Sequence, residues 1–342
     1  MIRSRNWVRL LLRSDRSPPS PSFWRDRADM LSRAGTMVRG FYICLFFIVL
    51  SQYDLWHKWL NLTAIDALWP VAWMNWIGLR TGVAIVIASA VIGTSLPCFF
   101  PQVRFARVAA AVGVLLMGAF WNSFGSVMHG WHSWIFAAIV FAMLPSGHVR
   151  ATQSLAWREH YLRAFTVAQA WVMLGYTLSG IFKIAAGVQQ MANGQAGSFH
   201  PEALSRHTAY RVLEGVPEGS VNIAPWIVEH PYIVWPMYLA FLFIESTAVI
   251  VAFRPALHRL WGLLLILIHI CIYFSLSVMF SWQIMLVGVL FLCSPIAPNR
   301  AVSLREIALK FPLVGDALAW LASRKSSPRE QTANGGIPAS AR

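Results

Sequence analysis

The sequence predicts an all-α, polytopic integral membrane protein with about eight transmembrane helices and both termini cytoplasmic. Three observations carry this. Of 342 residues, 57% are apolar and 12% charged, against about 45–50% and about 25% in soluble domains. The mean hydropathy of +0.55 leaves little polar surface to face water. Long apolar runs recur along most of the chain, and the basic residues gather between and beyond them on alternate sides. This composition excludes a disordered chain, a disulfide scaffold and a soluble enzyme.

Taken in order, residues 1–39 form a basic cytoplasmic segment with nine Arg, whose opening Trp7 to Arg13 reads as a surface-seeking amphipathic stretch. No cleavable signal peptide is expected, because the first apolar run begins only at Gly40. Residues 40–295 form the transmembrane domain, with spans expected at 40–55, 82–100, 108–128, 134–144, 165–186, 231–253, 260–275 and 279–293. The fourth and eighth fall short of the roughly 20 residues of a straight span. Residues 71–77 are a candidate re-entrant segment. Residues 187–230 are too long for a simple connection and read as a lid over an outward-facing pocket. Residues 296–342 form a basic cytoplasmic tail containing an interfacial helix.

The positive-inside rule orients this plan. With the N-terminus inside, the inner segments hold 23 Lys or Arg and the outer ones four: Lys58, Arg80, Arg206 and Arg211. A net charge of +14 would point to nucleic acid in a soluble protein, but here the charges sit at the ends and inner loops, so membrane lipids are the expected partner and nucleic acid is not. The cysteines, Cys44, Cys98, Cys271 and Cys293, lie in or beside apolar runs and read as packing residues.

Ionisable groups within spans are costly, about 2.5–3.5 kcal/mol at a helix centre, so each requires a reason. Lys183, Glu245 and His269 fall in the fifth, sixth and seventh spans. In the fifth, Gln169, Tyr176, Gly180 and Lys183 repeat at helical spacing and form one polar face. A desolvated Lys183 amine suits a general base, or else snorkels to the interface or pairs with an acid. Glu245, 14 residues into its span, is expected about 21 Å deep, so direct contact with Lys183 demands tilted helices or shifted boundaries. Glu245 and His269 each read equally as interhelical hydrogen-bonding groups. Between the third and fourth spans, Asn122, His129 and His132 are placed at the depth of Lys183; no further ligand accompanies the two histidines, so no metal site is expected. There is no P-loop, GxSxG, HExxH or dinucleotide fingerprint.

Trp131-His132-Ser133-Trp134, then Tyr176-x2-Ser179-Gly180-x2-Lys183, then the Glu245 span ending at Arg254, then His269, resembles the transmembrane domain shared by vitamin K-dependent gamma-carboxylases and their bacterial carboxylase-like relatives. The resemblance covers roughly residues 40–295. It implies Lys183 as the base that deprotonates a reduced quinone, His132 as its helper with His129 able to fill the same place, and Glu245 and His269 shaping the pocket. The carboxylases continue into an extracytoplasmic β-rich domain, whereas here 47 residues follow Pro295, so a membrane-domain-only bacterial relative in the plasma membrane is expected. Three functional classes follow: a carboxylase-like enzyme using a lipid quinone; a non-catalytic accessory or maturation partner of a secreted peptide or membrane protein, with paired ionisable residues and no cavity; and a small-molecule transporter, with a polar path through the molecule.

Overall fold

The computed structural model describes residues 21–125, 129–150, 152–213 and 223–325. Among these the regular structure is helical throughout: α1 (Pro21–Leu50), α2 (Tyr53–Leu60), α3 (Met74–Ile77), α4 (Leu79–Phe99), α5 (Arg104–Asn122), α6 (His129–Ala142), α7 (Leu155–Ala192), α8 (Ala203–Leu213), α9 (Ala224–Glu229), α10 (Pro231–Ser246), α11 (Ala248–Ala252), α12 (His258–Leu276), α13 (Ser281–Val287), α14 (Leu304–Lys310) and α15 (Val314–Lys325). Five helical stretches are long and apolar enough to cross a membrane: residues 29–50, 79–99, 104–122, 155–192 and 255–276. The chain is thus an all-α integral membrane protein. The other apolar runs form shorter or interrupted helices: α6, the α10–α11 pair, and α13 continuing into a π-turn over Gly288–Leu292.

Several boundaries differ from those read in the sequence, for local reasons. Helix α1 passes through residue 40 without interruption, because Leu31, Ala34, Val38, Phe41, Tyr42 and Leu45 form one buried stripe at helical spacing that continues into the basic segment. Helix α7 extends to 38 residues, or about 57 Å, well beyond a bilayer core of about 30 Å. Its start is capped by the Ser154 hydroxyl, which accepts from the Trp157 amide. Residues 69–77 form a 3-10 turn and α3, with Val71 and Met74 buried and Trp76 exposed.

Small residues set the closest helix approaches. A Cβ at Gly93 of α4 would strike the Ala109 carbonyl of α5, and one at Gly113 of α5 would strike Ser89 of α4. Such contacts are how membrane helices gain dispersion energy where lipid and side chain are equally apolar. Aromatic rings fill the centre: Phe41 stacks on Trp134 at 5.1 Å and meets Phe141 edge-on at 4.9 Å, and Trp131 meets Trp282 at 5.2 Å. The two tryptophans of the Trp131 to Trp134 motif are therefore core residues.

Arg107 is counted in the sequence among loop charges, yet its side chain is buried. Its guanidinium donates to the carbonyls of Phe141 (2.9 Å), Pro101 (2.6 Å) and Leu144. The end of α6 thereby has its orphan carbonyls satisfied by a cation at the negative pole of the helix.

Candidate functional site

Four positions on one face of α7 organise the site: two meet α10, one meets α12 and one meets the segment at residues 290–294. Lys183 Nζ lies 2.6 Å from Glu245 Oε2 of α10. The Glu245 side chain is 10% exposed and that of Lys183 44%, so the acid is the buried partner and the amine its bridge to open space. One turn below, Gly180 lets the backbone of α10 close in, for a Cβ there would stand 2.6 Å from the Ser246 nitrogen. Another turn below, the Tyr176 hydroxyl is 2.7 Å from His269 Nε2 of α12, and His269 Nδ1 has no hydrogen-bond partner among the described residues. Two turns further, Gln169 donates to the Leu290 carbonyl (2.6 Å) and the Ser294 hydroxyl (3.0 Å), while His258 Nδ1 lies 2.8 Å from that hydroxyl.

The expected obstacle to the ion pair was depth, and the length of α7 reduces it. Helix α7 continues nine residues past Lys183, so the lysine is about 13.5 Å below the helix end rather than at a loop. The α10–α11 helix is also interrupted at Thr247, whose hydroxyl accepts no part in continuing the helix and instead donates to the Phe243 carbonyl at 2.7 Å. Thr177 of α7 accepts the Val249 amide at 2.9 Å, and Trp261 of α12 donates to the Ile244 carbonyl at 3.1 Å. The backbone groups beside the interruption are thus satisfied by side chains of adjacent helices, as irregular backbone inside a membrane requires. Thr177, His258, Ser294 and Trp261 were not among the candidates. Thr177 was findable as a neighbour of Tyr176; the others carry no local signal, because their partners come from distant segments.

Above the ion pair is a cavity of about 460 Å³. Lys183 and Glu245 line it, together with apolar side chains of α10 and α12, among them Met237, Phe241, Ile268 and Ile272. Residues of the 187–230 segment cover it, including Leu204, Arg206 and Trp226. That segment folds in its described parts into α8 and α9, tied together where Ser205 Oγ donates to the Ile227 carbonyl (2.8 Å). It is moored to α12 through the Ile223 amide and Phe274 carbonyl (2.9 Å), and to α10 through Trp235 Nε1 and the Phe199 carbonyl (3.0 Å). Arg206 is occupied by Glu202 at 2.6 Å, a helical i,i+4 pair.

The remaining predicted residues lie apart. His132 Nε2 is 3.4 Å from Asn122 Nδ2, and the His132 ring neighbours Phe136, which stacks on Trp171 of α7 at 5.2 Å. Neither His132 nor Asn122 lines the cavity, and Tyr176, Gln169 and His269 do not line it either. His129 is the first residue of α6, and its side chain falls outside the described residues. Among the described residues, no three His, Cys, Asp or Glu side chains gather as a metal site. The geometry therefore joins Lys183 to Glu245 and Tyr176 to His269, and does not bring His132 to the lysine.

No model of a known protein family matches the chain, and comparison with curated proteins and with solved structures likewise finds no match.

Proposed function

We propose that the protein is a membrane-embedded, carboxylase-like enzyme that binds a lipidic cosubstrate in the covered cavity, with Lys183 as base. One observation carries the reading: an amine and a carboxylate, 2.6 Å apart, on the wall of a largely apolar cavity of about 460 Å³ that also carries Gln190, Arg206, His207 and Tyr238. That volume lies in the range of small-molecule sites, about 300–1,000 Å³, and an apolar lining with a few convergent polar groups is their usual character.

The donor set fits a reduced quinone, the cosubstrate implied by the resemblance. Lys183 and Glu245 would hold its polar head, and the apolar side chains of α10 and α12 its hydrocarbon. Such a group, when bound, supplies an acidic hydroxyl and a redox-active ring. Within the pair, a proton moved from Lys183 Nζ to Glu245 leaves the amine with a free lone pair. Lys183 then accepts a proton at Nζ, and the ammonium formed remains next to the developing negative charge. The α8 and α9 segment covers the cavity, and it is at the buried Glu245 carboxylate, 10% exposed, that low access of water strengthens the interaction. His132 lies outside the cavity lining, so the helper role implied for it passes to Glu245.

In this reading the short helices α6 and α13 and the α10–α11 pair also cross, giving eight passes with both termini cytoplasmic and the cavity facing outward in a bacterial plasma membrane. A second reading, a non-catalytic partner of a secreted peptide or membrane protein, is favoured by the pairing of Lys183 with Glu245, but it expects no cavity. Purification of the wild type and Lys183→Ala in mild detergent, followed by mass spectrometry of extracted lipids, separates the two. A co-purifying quinone whose occupancy or redox state depends on Lys183 supports the enzyme. Absence of any lipid cofactor, with a stably retained partner protein, supports the second reading.

A further inference from the structure

The hairpin of α14 and α15 carries a feature that the cavity does not use. Val314, Ala317, Leu318 and Leu321 repeat at i, i+3, i+4 and i+7 along α15, the spacing of a helix face made for burial, yet all four are exposed. Leu304 and Leu309 of α14 and Leu313 of the turn add to this surface. The opposite side of the hairpin is fixed to the bundle. Phe311 stacks on Phe243 of α10 at 5.7 Å and packs on Trp261 of α12 at 5.4 Å. Arg254 grips both Asp316 oxygens, at 2.9 and 2.8 Å, and donates to the Lys310 carbonyl at 2.7 Å.

This mounting fixes the depth of the hairpin. Arg254 stands two residues past α11 and just before the apolar stretch 255–276, which is long enough to cross a membrane; Phe253 beside it is half-exposed, and Leu263 and Leu267 of α12 are exposed further along. At the end of a helix of membrane-crossing length, the hairpin is at the level expected for the boundary between hydrocarbon and headgroups. Its charge is one-sided. The two acids of residues 304–325, Glu306 and Asp316, are taken up by Arg300 at 2.8 Å and by Arg254, whereas Arg305 is exposed and the sequence of α15 closes on Arg324 and Lys325. An exposed apolar face bordered by cations at this depth is complementary to an anionic leaflet.

We infer that the α14–α15 hairpin is a rigidly mounted docking surface for anionic phospholipid, with its Leu-rich face in the headgroup boundary and the exposed Arg305 against the lipid phosphates, in a segment whose sequence ends on two further cations, Arg324 and Lys325. The test uses the full chain in nanodiscs of phosphatidylcholine with about 30% phosphatidylglycerol, with Cys44, Cys98, Cys271 and Cys293 changed to Ala. A nitroxide is placed at Leu318→Cys and, independently, at Leu321→Cys. Relaxation by oxygen exceeding that by a water-soluble nickel chelate at either position is the expected result. Dominance of the nickel chelate places the face in water, and shielding from both agents means that a second protein covers it; either outcome overturns the inference. Native mass spectrometry then counts phosphatidylglycerol retained by the wild type and by Arg305→Gln/Arg324→Gln/Lys325→Gln. About threefold less retention by the variant is expected, and equal retention removes the anionic part of the assignment.

Discussion

Lys183 and Glu245 illustrate what a residue type and its spacing convey and what they omit. An ionisable group in each of two adjacent spans is readable as a pair in waiting, but the sequence puts them at different depths because an apolar run understates the length of α7. Since Lys183 is half-exposed and Glu245 is not, removing the lysine strands a buried carboxylate, whereas removing the acid frees an amine that can turn toward the cavity mouth. A double-mutant cycle of Lys183→Met and Glu245→Gln, followed by thermal unfolding in detergent, is expected to return a coupling of about 1–3 kcal/mol. Gly180 is equally decisive one turn away. Gly180→Leu forces α7 and α10 apart at Ser246 and is expected to cost about 1–3 kcal/mol, measured as a lowered melting temperature, and to weaken lipid retention along with it. The polar face of Gln169, Tyr176, Gly180 and Lys183 was legible because periodicity within one helix is local. That its four members contact three other segments of the chain was not, since those partners lie 62 to 125 residues away.

At the scale of the element, the interesting helices are those whose ends fall inside the molecule. Helix α6 stops where Arg107 can take the carbonyls of Phe141 and Leu144, and the Met143 carbonyl between them lies 3.3 Å from His160 Nε2. Arg107→Lys keeps the charge but loses the planar fork that serves Pro101, Phe141 and Leu144 together. It is expected to destabilise by about 1–3 kcal/mol, with the melting temperature in detergent as the readout. A sequence reading assigns Arg107 to the loop because positive charge marks a membrane end, and the assignment to an end is correct: what the rule lacks is any account of whether the charge faces lipid phosphate or a helix terminus. The interruption at Thr247 was unreadable for a similar reason. Neither Gly nor Pro stands at residue 247, and the break is sustained by Thr177 and Trp261 from other helices.

For the whole molecule, the fold class follows from composition alone, whereas the number of crossings depends on short segments. Residues 130–142 and 281–292 are apolar but shorter than a straight span, and α10 is continued by α11 only across a break. Such elements cross only with flanking residues or a locally thinned bilayer. Eight crossings place both ends on one face. In sealed vesicles of one orientation, an impermeant maleimide is expected to label Asn193→Cys and spare Asn299→Cys from the outside, with the reverse in inverted vesicles. Labelling of both from the same side would remove the eight-pass plan.

The 57 Å of α7 gives the molecule a common axis. The Gln169 contacts, the Tyr176 hydroxyl, the Gly180 contact and the Lys183 amine are all mounted on it, and its last turns stand beneath the lid, where Phe199 rests against Gly187. A single uninterrupted helix transmits displacement as a rod does. The covering of the cavity at Gly187 and the ion pair at Lys183 thus share one uninterrupted helix, four residues apart, so that a shift of one is expected to be felt at the other.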